Sequence, residues 1–165
     1  SIGDSLLDYF AISEIKIFLN YDNLPSNMKF RIAEFYSGKE MQMNIYDFMQ
    51  VYYKPEDKKF ILHGLNAGFR CPNTNDCDEK YKNIIIDISE IFKKSKNVAE
   101  KTIKHPDDKS GKSTVTYWQY KLKNGDVVIH NTDWSSEVNY EDNVSVEIVT
   151  NEVRKWVNNN YGMGP

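Results

Sequence analysis

Tyr81, Ile84, Ile85, Ile88, Ile91 and Phe92 recur at steps of three and four, the spacing that lines side chains along one side of an α-helix. A stripe of that kind requires a surface to cover. The segments on either side alternate apolar and polar residues with the period of two expected of strands, so the expected surface is a β-sheet. Immediately before the helix, Cys71-Pro72-Asn73-Thr74-Asn75-Asp76-Cys77 joins the two cysteines through turn-forming residues, which brings their sulfurs within bonding reach. The stretch Cys71 to Phe92 is therefore expected to be a closed loop that enters the central helix.

Taken in order, residues 4 to 19 predict helix in one or two pieces. Leu6, Leu7 and Phe10 form a first apolar patch; Ile12, Ile15, Phe18 and Leu19 form a second, with Ser13 as a cap between them. A loop over 20–27 leads to a strand from Met28, in which Phe30 and Ile32 alternate with polar neighbours before a turn at Ser37-Gly38-Lys39. Met43, Ile45, Asp47, Met49, Val51 and Tyr53 share one parity, and Lys54-Pro55-Glu56-Asp57 suits a type I turn that returns the chain over 58–70. Asp47 among apolar neighbours is expected at a sheet edge or bulge, because an unpaired buried carboxylate costs on the order of several kcal/mol.

Beyond the central helix, Lys93 to Lys112 is hydrophilic and reads as one long loop. Thr114 to Leu122 alternates as a strand, Asn124-Gly125 predicts a two-residue hairpin turn, and Asp126 to Asn131 returns. Val144 to Val149 is a further strand. Asn151 then caps a last helix whose Val153, Trp156 and Val157, extended by Asn160 or Tyr161, face inward. The expected order is α-βββ-α-βββ-α: an α+β fold, one domain over 1–165, with an antiparallel sheet of about six strands and helices packed on one face.

Composition narrows the function. A chain of 165 residues is long enough for a core of its own, and its net charge of −3 leaves no cationic excess for phosphate backbones. Nucleic acid is excluded as a general partner on that ground. The longest apolar run, Ile84 to Ile86, is far too short to span a bilayer. With neither further Cys nor His at zinc-ligand spacing, Cys71 and Cys77 are expected as a structural disulfide, hence an exported protein; the alternative is two buried thiols. A leader that ended before Ser1 is compatible with this.

Motifs with chemical meaning are few. Gly3-Asp4-Ser5-Leu6 spells a serine-esterase signature, but the strand that would hold the serine at a pocket mouth is missing, so Asp4 or Ser5 is better taken as a helix cap. Gly111-Lys112-Ser113 resembles the end of a phosphate loop, yet Pro106 stands where its first glycine is required. His63, His105 and His130 show no helical metal spacing, and no metal or cofactor is implied. Asn143-Val144-Ser145 fits a glycan-acceptor triplet at a strand start. The cluster of greatest interest is Asp133-Trp134-Ser135-Ser136-Glu137. There a tryptophan between acids at a strand end suits stacking on a flat ligand; its bland alternative is a core plug with a capped turn. With His130, and with His105, Lys109 and Lys112 of the polar loop, Asp133, Trp134 and Glu137 make up the candidate ligand- or partner-binding set.

The opening Ile2-Gly3-Asp4-Ser5-Leu6-Leu7-Asp8, the loop His105 to Ser113, and Asp133-Trp134-Ser135 with Tyr140 resemble a group of small exported proteins of marine alphaproteobacteria. The resemblance implies a periplasmic or extracellular address and attaches no activity, ligand or catalytic residue. The expectation is a non-enzymatic extracytoplasmic module that binds a protein or small ligand through a sheet face or edge, including self-association by strand addition. The rival is a periplasmic hydrolase that uses Asp133, Glu137 and His130 around Trp134.

Overall fold

The alternation of apolar and polar residues becomes seven antiparallel strands in the order β1-β2-β3-β7-β6-β5-β4. The computed structural model describes residues 1–19, 28–37, 43, 45–93 and 96–161. The strands are β1 (Arg31–Tyr36), β2 (Phe48–Tyr53), β3 (Gly64–Arg70), β4 (Lys96–Lys104), β5 (Thr114–Lys121), β6 (Gly125–Asp133) and β7 (Asn143–Thr150); the helices are α1 (Ile12–Leu19), α2 (Thr74–Ile91) and α3 (Asn151–Tyr161). Two meanders, β1 to β3 and β4 to β7, are thus joined where β7 pairs with β3.

Two expectations are corrected. The extra strand is β4, taken in the sequence for part of a long loop. Its lysines at 101 and 104 and its register shift between Val98 and Lys101 suit an outer edge, where charge and irregularity discourage further pairing. Secondly, the helices lie on both faces. Leu6 and Ile15 pack with Ala33, Phe35 and Val51, and α2 packs Tyr81 and the Cys71–Cys77 disulfide against Tyr120, Val127, Ile129 and Val144 on the same side of the sheet. By contrast, α3 packs Val153, Trp156 and Val157 against Tyr52 and Val149, whose positions alternate with those of the first face.

Local chemistry explains the element ends. Ser5 caps a short 3-10 turn, Leu6–Asp8, and forms a reciprocal capping box with Asp8. Leu6 is buried, whereas Leu7 is exposed. Ser13 lies inside α1 and not at its start, where the amide of Ala11 donates to Glu14 Oε2 at 2.7 Å. Side chains of Phe18 and Leu19, the loop 20–27 and Gly38-Lys39 lie outside the described residues. Asn73 caps α2 by accepting from the Asp76 amide at 3.1 Å, inside the disulfide loop whose Cα atoms are 5.5 Å apart. Ile84, Ile85, Ile88 and Phe92 pack inward as expected, but Ile91 turns out to solvent. Thr150, one residue before the predicted cap, accepts from the Val153 amide at the start of α3.

Hairpin details also shift. The Lys54–Asp57 turn is present, but β3 begins only at Gly64, and β2 at Phe48 in place of Met43. Asp47 sits just before β2, where its carboxylate accepts from the Arg70 amide at 2.8 Å. Between β5 and β6 the two turn residues are Lys123 and Asn124, since Leu122 bonds Gly125. Gly125 is required for another reason: a Cβ there would meet the Val149 carbonyl oxygen at 2.0 Å.

Candidate functional site

On the α3 side of the sheet, α3 covers one end of the strands and leaves the rest as a cleft of about 960 Å³. A line of residues paired directly across four strands runs over its floor: Glu34, Gln50, Asn66 and Glu147. Alternation puts all four on the same face. The hydrogen bonds along this row have a fixed sense. A carboxylate only accepts, so Gln50 donates its amide to Glu34 Oε1 at 2.6 Å and must present its oxygen to Asn66, whose Nδ2 donates at 3.1 Å. The Asn66 Oδ1 is left facing the β7 side, buried and without a hydrogen-bond partner among the described residues.

Glu147 anchors the closed end. It is 4% exposed. Its Oε1 accepts from the Tyr52 hydroxyl at 2.8 Å, and its Oε2 accepts from the Arg154 guanidinium of α3, with His130 Nε2 at 3.5 Å. Arg154 also reaches Asp126 at 3.5 Å, and Asp126 accepts from Gln119 at 2.7 Å. Burial alone would raise the Glu147 pKa; Arg154 and His130 outweigh it and hold the carboxyl at about 2. Burying two carboxylates and a guanidinium is tolerable only because they pair with one another.

The open end is aromatic. His105, Trp134 and Tyr140 pack in succession as tilted rings, with centroids 4.1 and 4.7 Å apart. Asp108 organises the loop that places His105. Its carboxylate accepts from the amides of Ser110, Lys112 and Ser113 and from the hydroxyls of Ser110 and Ser113, which depresses its pKa well below the carboxylate range. Ser113 Oγ in turn accepts from the Ser135 amide at 3.0 Å, which ties this loop to the segment bearing Trp134. Burial lowers the His105 pKa, and its Nδ1 accepts from the Asp107 amide at 3.2 Å. Across the cleft, Tyr36 donates to Glu34 at 2.7 Å; burial and that bond push the phenol up to about 12. The Arg70 guanidinium lies over the Tyr36 ring and pairs with Glu141 at 3.3 Å.

Of the sequence-derived candidates, His105, His130 and Trp134 line the cleft. Asp133, Glu137, Lys109 and Lys112 do not. Asp133 lies three residues after His130 on β6 and so falls on the opposite face, the one carrying α2; partial burial and then the carboxylates of Asp142 and Asp78 push its pKa up. Glu137 is exposed and bonded to Lys112. The carboxylates proposed for hydrolysis therefore do not converge with His130. His63 lies apart from the cleft, beside Phe30. The residues sequence reasoning missed are Glu34, Gln50, Asn66, Tyr52, Glu147 and Arg154. Only Glu147, a lone acid inside an apolar strand, and Arg154, between Val153 and Trp156, carried a signal. Among the described residues no group of three or more His, Cys, Asp or Glu is placed to hold a metal ion, and no helix is long and apolar enough to cross a membrane. No family model, curated protein or solved structure matches the chain.

Proposed function

We propose that the protein is an exported binding module that holds a small ligand in the cleft on the polar face of its sheet without transforming it. The observation that carries this reading is the cleft itself, where a polar floor from four strands meets an end of packed aromatic rings. Its volume, about 960 Å³, falls near the top of the range of roughly 300–1,000 Å³ common for small-molecule sites. Rigid aromatics at one end and a few oriented polar groups at the other are the ordinary means of binding and orienting a ligand.

The buried acid of the cleft is unsuited to proton donation. Glu147 is locked between Tyr52 and Arg154 and held ionised far below neutral pH, the wrong direction for a general acid. The disulfide supports an address outside the cytoplasm. Face binding is favoured over strand addition at β4 by that edge's lysines and register shift.

A fragment library screened by amide chemical-shift mapping tests the proposal. Hits are expected to move amides of Glu34, Asn66, His130 and Trp134 together, and Trp134→Ala is expected to abolish those shifts while the remaining spectrum stays folded. Hits that map instead to the α2 face, or steady turnover of a hit compound, would overturn it.

A further inference from the structure

Among the described residues, the cleft floor keeps one unpartnered acceptor, Asn66 Oδ1, and at its closed end one donor without a hydrogen bond, Arg154 Nε. Asn66 Oδ1 is buried and unpartnered, with its orientation set by the one-way chain of bonds that ends on Glu34. Its direct neighbour across the strands is Glu147, another acceptor. Glu147 meets Tyr52 at Oε1 and Arg154 and His130 at Oε2, whereas a carboxylate offers about four lone-pair sites. Charge leans the same way. In the closed end two buried carboxylates, Glu147 and Asp126, share the guanidinium of Arg154, with His130 Nε2 3.5 Å from Glu147. Two acceptors side by side in a buried floor leave a desolvation cost that only a donor removes.

Resting on the binding reading above, we infer that the ligand is an organic cation with an aromatic or other flat body. Its ammonium or guanidinium group donates to Asn66 Oδ1 and the Glu147 carboxylate, and its body lies along Trp134 and Tyr140, whose ring faces also favour positive charge. An anionic ligand is the main competitor, because Arg70 and Arg154 line the same cleft. Both guanidiniums already face carboxylates, Arg154 those of Glu147 and Asp126, Arg70 that of Glu141 beside the Tyr36 ring, although Arg154 Nε makes no hydrogen bond among the described residues. A carboxylate entering beside Glu147 would meet like charge.

The test uses three probes of one shape and different charge: 2-phenylethylammonium, 2-phenylethanol and 3-phenylpropanoate, each titrated into the wild-type protein and followed by amide shifts. The ammonium is expected to bind roughly tenfold tighter than the alcohol, the worth of one charge-assisted hydrogen bond, and the carboxylate weakest. Asn66→Leu removes one of the two acceptors and is expected to weaken the ammonium several-fold and to narrow its preference over the alcohol, with Glu147 retaining the remainder; an unchanged ammonium affinity in the folded variant would overturn the role of Asn66. If the alcohol or the carboxylate binds the cleft as tightly as the ammonium, the cation inference fails and the binding reading survives. If none of the three moves a cleft amide, both fail. Should Asn66→Leu not fold, the charge series on the wild-type protein decides alone.

Discussion

The two faces of this sheet are built from alternate residues of the same strands, yet one is closed and the other is half open. On the α2 face, Ile129 and Val144 are fully buried, Tyr120 and Val127 nearly so, and the helix lays Tyr81, Ile84, Ile85 and Ile88 across them. On the α3 face, the residues one step along the chain from Ile129 and Val144 are His130 and Ser145, with Glu147 two further along β7 on the same face. There α3 shields only the end where Val149 and Tyr52 lie, over a floor bonded by side chains. The lesson is a division of labour: apolar burial that orders the fold is concentrated on one side, which frees the other to hold polar groups in fixed directions.

The strongest way to break the comparison is at the closed end of the polar face. Arg154→Met strands Glu147 and Asp126 as buried like charges, and the expected loss is about 4 kcal/mol, read from urea unfolding. The α2 face should give way next: Ile129→Ala opens a cavity at a fully buried position and is expected to cost about 3 kcal/mol by the same measurement. Reducing Cys71–Cys77, which closes a loop of sequence separation 6, is expected to cost about 2 kcal/mol, visible as a lower Tm with dithiothreitol.

Acid provides a gentler probe of the polar face. Folding lowers the Glu147 pKa from 4.5 to about 2, so the unfolded chain binds the proton more strongly than the folded one. The stability tied to this group is therefore fully present above the unfolded value and drains away as pH falls from about 4.5 toward about 2. Glu147→Gln should flatten that part of the pH dependence, checked by urea midpoints at about pH 6 and about pH 3. Smallest in stability is Trp134→Ala at the partly exposed aromatic end, expected to cost about 1 kcal/mol or less while removing ligand-induced shifts.

How much of this was legible follows from what each pattern can encode. The α2 stripe, the disulfide loop and the strands around Val51, Tyr120, Ile129 and Val144 declare themselves because burial demands apolar residues at fixed periods. β4 was hidden because an edge strand bearing Lys96, Lys101 and Lys104 has the composition of a loop. α3 was seen, but not the face it takes, since Val153, Trp156 and Val157 would serve equally well on either side. Most of the cleft was invisible for a related reason. Polar residues at alternate strand positions, such as Glu34, Gln50 and Asn66, read as a solvated face, and only their register across separate strands joins them into a floor. Trp134, His105 and His130 line the cleft, whereas Asp133 and Glu137 stand near them only in sequence, since β6 parity turns Asp133 to the other face and Glu137 pairs with Lys112.

The most direct test of the division between the faces is a crystallographic fragment soak of the wild-type protein. The account predicts that bound fragments collect in the cleft, with rings against Trp134 or Tyr140 and polar atoms on Asn66 or Glu147. Fragments gathered on the α2 face, with the cleft left empty, would contradict it.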